Sequence, residues 1–161
     1  MNEHTEHISK EGKYLTFSLG AEEYGLGILK IKEIIGMMPI TALPQAPEYL
    51  RGVINLRGKV IPIVDLRKKF AMPEQEATER TCIIVVEVAG QGTPCLTGLV
   101  VDAVSEVLNI KNEQIEAYSA LGEIHSGTVL GLAKVESGVK ILLDIDRVIN
   151  SETSAAMQIA A

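Results

Sequence analysis

The amino-acid sequence predicts an all-β protein: two small five-stranded barrels related by an internal duplication, with short helical turns. Three observations carry that expectation. The apolar runs are short, rich in Val and Ile, and punctuated by Gly and Pro, as strands and turns are. Residues 52–66 (GVINLRGKVIPIVDL) lie over 131–145 (GLAKVESGVKILLDI) without a gap, so that Gly52 meets Gly131, Val60 meets Val139 and Asp65 meets Asp144. Residues 25–35 (GLGILKIKEII) lie over 98–108 (GLVVDAVSEVL) in the same order, with Ile28, Ile31 and Ile34 on Val101, Val104 and Val107, and Glu33 on Glu106. Short sheets hide their edges by curling into barrels. Each copy, about residues 14–70 and 80–150, is therefore expected to form one barrel, and the two to pack with pseudo-twofold symmetry.

The elements follow in order. Residues 1–12 are polar and acidic, a disordered tail that carries His4 and His7. Tyr14 to Leu19 alternates as a strand, Gly20 to Glu23 turns, and Tyr24 to Gly27 is the next strand. Ile28 to Ile35 is ambiguous: Ile28, Ile31, Ile34 and Ile35 have helical spacing, but the Ile content favours a strand. One helical turn passing into a strand reconciles the two. Pro39, Pro44 and Pro47 make Met37 to Leu50 an extended connection. Val53 to Leu56 and Val60 to Val64 then form a hairpin about Arg57-Gly58-Lys59, with Ile54 and Leu56 on one face. Pro62 donates no ladder hydrogen bond, so its strand is expected to be a sheet edge or to carry a bulge there. Asp65 reads as the N-cap of a short helix through Phe70.

The second copy repeats this plan. Residues 73–80 form a polar loop between the halves. Cys82 to Val88 and Cys95 to Val101 are strands about a Gly90-Gln91-Gly92 turn, and Val104 to Ile110 continues after a kink. Residues 111–127 are polar and irregular and contain His125. Thr128 to Val135 and Val139 to Ile145 form a hairpin across Glu136-Ser137-Gly138, and Asp144 or Asp146 caps a last helix through Ile149. Residues 151–161 are a C-terminal tail.

Composition limits the function. The chain has 161 residues, 47% hydrophobic, with 4% aromatics and no Trp, so Val, Ile and Leu must fill the core. A net charge of −6 argues against a nucleic-acid partner, which calls for a basic patch. No run approaches the roughly 20 apolar residues of a membrane span, and the N-terminus lacks a signal-peptide hydrophobic region. The expected location is the cytoplasm, where Cys82 and Cys95 would be reduced, buried thiols; a disulfide between neighbouring strands is the alternative. No nucleophile elbow, phosphate loop, zinc helix or paired-cysteine metal site occurs. Gly25-Leu26-Gly27 begins a dinucleotide-like pattern that fails at Lys30. The expectation is a protein without catalytic activity, cofactor or metal.

The hairpin GVINLRGKVIPIVDLR, preceded by EEYGLGILKIKEII and followed by TGLVVDAVSEVL, resembles the CheW-like family, the coupling proteins of bacterial chemotaxis. The resemblance covers roughly residues 13 to 150. It implies paired SH3-like barrels and an adaptor that links the cytoplasmic tip of methyl-accepting receptors to the regulatory domain of the histidine kinase CheA. It also implies recruitment to membrane receptor arrays and places Ile31, Glu33 and Arg57 in the receptor-binding region. The pathway need not be a flagellar one.

The duplication singles out Arg57 independently. The second copy has Glu136 at that place, so the barrel itself does not require the guanidinium. Arg57 is either a functional residue or an ordinary solvated turn residue. Ile28, Ile31 and Ile34, and Val101, Val104 and Val107, are either core or, facing a groove between barrels, an apolar seat for a partner helix; Ile28, Ile31, Val101 and Val104 are taken as the candidate contacts. Glu33 is placed to orient Arg57 or to meet a basic residue of the partner. A small-molecule-binding barrel is the rival reading, and it requires a roomy interior.

Overall fold

The computed structural model describes residues 10–89, 93–117 and 128–150. The strands are β1 (Gly12–Leu19), β2 (Glu22–Gly27), β3 (Ile31–Gly36), β4 (Leu50–Leu56), β5 (Lys59–Asp65), β6 (Cys82–Val88), β7 (Cys95–Val101), β8 (Ala103–Ile110), β9 (Ile115–Glu116), β10 (Val129–Val135) and β11 (Gly138–Leu143). Two short helices, α1 (Leu66–Lys69) and α2 (Ile145–Asn150), follow β5 and β11, and 3₁₀ turns occupy Ile28–Lys30 and Asn112–Gln114. The ambiguous Ile-rich stretch thus resolves into a single turn of helix leading into a strand, as its mixed periodicity predicts. Gly12 already lies in β1, so order begins earlier than the expected tail end. The short strand β9 falls in a stretch read as irregular. His4, His7, His125, the Gly90–Gly92 turn and the C-terminal tail lie outside the described residues.

Two sheets result, a five-stranded one in the order β3-β6-β7-β5-β4 and a six-stranded one in the order β8-β1-β2-β11-β10-β9. Replacing β1 to β5 by β6, β7, β8, β10 and β11 converts the first order into the second, with β9 as an addition. The register repeats as well. Ile63 pairs with Gly98 in the parallel ladder of β5 and β7, and the equivalent Leu142 pairs with Gly25 in that of β11 and β2. Both glycines are needed for close approach. A Cβ on Gly98 would lie 2.5 Å from Ile63 Cδ1 and 2.8 Å from Ile83 Cγ2, and one on Gly25 would lie 2.9 Å from Leu142 Cδ2.

The sheets do not coincide with the sequence halves, which corrects the expectation of one barrel from 14–70 and another from 80–150. The hairpin β1–β2 completes the sheet of the second half, and β6–β7 completes that of the first. The connectors give the reason. Only the turn Ile28–Lys30 separates β2 from β3, and only Asp102 separates β7 from β8. A single residue is too short for a hairpin, which takes at least two. After β7 the chain therefore passes into the other sheet; after β2 the three residues coil into a 3₁₀ turn in place of a hairpin loop.

This exchange places one apolar cluster between the sheets. It contains Leu15, Phe17 and Leu19 of β1, Ile84, Val86 and Val88 of β6, and Leu66, Ile145 and Val148 of the helices. Alternate residues of the same strands turn the other way: Ile83 and Val85 join Ile54, Leu56, Ile61 and Ile63 inside the first sheet. Tyr14 joins Ile110, Ala133 and Leu142 inside the second. The Pro62 strand is neither an edge nor bulged there, which corrects that expectation: β5 lies between β7 and β4, and the register of the β4–β5 ladder shifts between Leu50 and Gly52. Pro62 is tolerated because it lies opposite Val53, one residue before β5 begins its pairing with β7 at Ile63, so its missing N–H falls on a side of the strand without a ladder partner. Asp65 accepts hydrogen bonds from the Arg67 N–H at 3.0 Å and the Lys68 N–H at 3.4 Å, which makes it the N-cap of α1. The two cysteines stand at opposite ends of the β6–β7 hairpin, where Cys82 faces Val101 and Cys95 faces Val88. Both are free thiols; Cys82 is half-buried, and Cys95 is exposed rather than buried as expected.

Candidate partner-binding site

Arg57 and Gly58 are the two central residues of the β4–β5 turn, with φ of 51° and 89°. Left-handed conformation at both positions matches the twist of a two-residue hairpin, but a side chain there costs on the order of 1–3 kcal/mol. The Gly58 N–H donates to Asn55 Oδ1 at 2.8 Å and holds the turn. In the second copy the two turn residues are Glu136 and Ser137, and neither has a positive φ; the positive φ, 129°, falls on Gly138, the first residue of β11. The duplicated scaffold can make this turn without the strain.

The Arg57 guanidinium donates to the Glu33 carboxylate, the first of the two roles expected of Glu33. Their side chains are 69% and 32% exposed, so the pair contributes at most about 1 kcal/mol to stability. β3 and β4 are opposite edges of the five-stranded sheet, and the contact draws the tip of one edge hairpin onto the other edge. What it sets is position: a charged pair displayed where the sheet curls on itself. At the equivalent places of the second sheet stand Glu106 and Glu136, two like charges.

Apolar residues flank the pair. Leu29, at the crest of the 3₁₀ turn, is 93% exposed, and Ile34 and Val60 are exposed on β3 and β5. Ile28 and Ile31 are half-buried and pack against the core between the sheets, as does Val104 at the place equivalent to Ile31. They form a rim of that core and keep part of their surface. Val101 does not: it is 1% exposed inside the core and offers a partner nothing, which corrects its place among the candidate contacts. Leu29 and Val60 were missed by sequence reasoning; Ile34, expected as core or as part of an apolar seat, is exposed, as is its equivalent Val107. Strand alternation from Ile61 and Ile63 could have exposed Val60; nothing local marks Leu29.

A second polar feature was also missed. Arg67 of α1 grips Asp102 through Nε at 2.8 Å and Nη2 at 2.7 Å. Asp102 also accepts from the Gly20 N–H at 2.8 Å. The Arg67 guanidinium holds the Asp102 carboxyl below the usual carboxylate range, and Asp102 in turn raises Arg67. Lys140, buried in the second sheet, donates to Glu23 at 2.7 Å and lowers the pKa of that carboxyl. Burial raises the Cys82 thiol, which keeps it protonated and unreactive. Among the described residues no three His, Cys, Asp or Glu side chains are grouped to hold a metal ion. None of the described helices is long and apolar enough to cross a membrane. The interior of the first sheet is filled by Ile and Val side chains, which leaves the small-molecule reading without the roomy interior it needs.

Two interleaved SH3-like lobes display a charged turn beside an apolar rim, the makeup of a small β scaffold and not of a catalytic or metal centre among the described residues. The comparisons with known proteins specify which. The CheW-like domain model matches residues 13–153, and the chain belongs to that family of chemotaxis coupling scaffolds. It is 38% identical to the chemotaxis protein CheW of Klebsiella aerogenes over 144 residues, covering 89% of this chain and 84% of that protein. It is 34% identical to the chemotaxis protein CheW of Rhizobium meliloti over 158 residues, covering 97% and 99%. The crystal structure of the scaffolding protein TtCheW from Thermoanaerobacter tengcongensis superposes with a TM-score of 0.77 at 36% identity, covering 87% of this chain and 93% of that one.

Proposed function

We propose that this protein is a non-enzymatic coupling scaffold that joins the cytoplasmic tip of methyl-accepting chemotaxis receptors to the regulatory domain of the histidine kinase CheA. The observation that carries this reading is the Arg57–Glu33 pair, displayed on a strained turn that the second copy of the scaffold does without. A partly exposed Arg beside half-buried Ile28 and Ile31 has the makeup of an interface anchor: apolar contact around a charge that fixes register. Receptor tips are helical, and an apolar stripe flanked by a cation suits a helix laid in a groove. The scaffold would work in the cytoplasm, at receptor arrays, and would bias the kinase only through different affinities for its states.

The test is a titration with a purified receptor signalling fragment, followed by co-sedimentation with kinase and receptor. Arg57→Glu places a second negative charge beside Glu33 and is expected to weaken receptor binding at least tenfold, with an unchanged circular-dichroism spectrum. Wild-type receptor affinity in that variant would remove Arg57 from the site. Failure of the wild-type protein to increase kinase recovery with receptors would remove the coupling function itself.

A further inference from the structure

The exchange of hairpins between the halves has a consequence for association. Each lobe takes strands from both halves, and the halves are joined by one connection, residues 70–81. Every contact between the halves, from the β1–β8 ladder to the Arg67–Asp102 pair, joins residues far apart in the chain. None of them depends on which chain supplies the partner half.

The connection is held folded back by a separate set of contacts. The Met72 N–H donates to the Arg67 carbonyl at 2.7 Å. Arg67 Nη1 donates to the Pro73 carbonyl at 2.8 Å, and Nη2 also donates to the Gln75 side chain. The turn runs through Ala71 at φ 59°, a left-handed conformation that a residue with a Cβ rarely adopts. Beyond it, residues 73–80 are all exposed. A strained turn followed by an exposed tether is the usual hinge of a segment exchange, in which two copies trade identical parts and keep the same contacts.

We propose that residues 70–81 are such a hinge, and that two copies of this chain can trade halves, each lobe pair being built from the first half of one chain and the second half of the other. The Arg67 guanidinium has two tasks in this arrangement. Its grip on Asp102 survives the trade, because it joins the halves. Its bonds to Pro73 and Gln75 close the hinge and favour the monomer. The occupant is a second copy and no other protein, because only this sequence supplies the complementary half in register. Exchange would put two receptor-facing sites on one particle.

The experiment uses the chain with residues 74–79 deleted, which cuts the hinge from twelve residues to six and removes the Gln75 contact that closes it. A cysteine pair is introduced at Lys13 and Asn109, which face each other across β1 and β8, one from each half. The intact-hinge protein carrying this pair is expected to run as a monomer by light scattering and to form the disulfide within one chain. The deletion variant is expected to double in mass, keep the circular-dichroism spectrum, and form the disulfide between chains on a non-reducing gel. A folded monomeric deletion variant, or a dimer with the disulfide within each chain, overturns the proposal. If the deletion variant does not fold, a full-length chain with a protease site at residues 75–78 decides the matter. After cleavage, the two fragments should stay together on gel filtration, and refolding a mixture of tagged and untagged nicked protein should yield hybrid pairs. Fragments that separate, or that never form hybrids, overturn the proposal.

Discussion

At the tip of the β4–β5 hairpin an arginine is held left-handed, whereas neither turn residue of the second copy's hairpin, Glu136 or Ser137, has a positive φ. The cost of that choice and its use can be separated by one substitution. Arg57→Gly removes the strained Cβ and the guanidinium together. The backbone gains from the first change, by about 1 kcal/mol less the larger freedom of glycine in the unfolded chain. The fold loses little from the second, since the Arg57 side chain is largely exposed. The urea midpoint should therefore stay level or rise slightly, while receptor affinity falls in a titration as it does for Arg57→Glu. A falling midpoint would make Arg57 a structural residue and cancel the argument from strain. Arg57 was legible in the sequence because the duplication supplied an internal control at Glu136. Val101 misled for the same reason: its match to Ile28 shows a shared position in the repeat, whereas exposure is decided by what packs above that position.

Among the elements, α1 shows what local sequence can and cannot report. Its N-cap, Asp65, was readable, because an N-cap bonds to N–H groups two and three residues on. The Arg67–Asp102 grip was not, because its partners are separated by 35 residues and the repeat sets Arg67 on Asp146 and Asp102 on Leu29. The grip ties α1 to the junction of β7 and β8 and, through the Gly20 N–H, to the β1–β2 turn. It carries a pH signature. The Asp102 carboxyl titrates below its ordinary value of 3.8 in the folded protein, chiefly through the hydrogen bonds from Arg67. A depressed carboxylate pKa adds stability that is present above the unfolded value and is lost as pH falls through the folded one. Asp102→Asn should cost about 1–3 kcal/mol in urea denaturation at pH 7, because Arg67 is left half-satisfied in a largely buried site. The difference from wild type should shrink below pH 4. A gap of the same size at pH 7 and pH 2.5 would mean that Asp102 acts through shape and not through charge.

For the whole molecule, the duplication was legible and the interleaving was not. Matching residues report that two copies exist; pairing depends on connectors such as Asp102, whose brevity sends β8 into the other sheet. The consequence is a single cooperative unit. Phe17 is fully buried in the core between the sheets, with Leu66 of the first half and Val86 and Ile145 of the second in the same cluster. Were each half an independent barrel, Phe17→Ala would loosen one of them and leave the other's transition in place. In the interleaved fold β1 belongs to the sheet completed by β8 and β11, while its apolar face packs in the core shared by both sheets. The substitution should cost about 3–5 kcal/mol, the usual range for emptying a large buried aromatic site, and lower a single calorimetric transition. Hydrogen exchange gives the decisive comparison. Amides of β4–β5 and of β10–β11 should lose protection by the same amount, because neither sheet persists once the shared core opens. If β4–β5 kept its wild-type protection while β10–β11 lost it, the two sheets would be separate folding units, and the cooperativity inferred from the exchanged hairpins would be wrong.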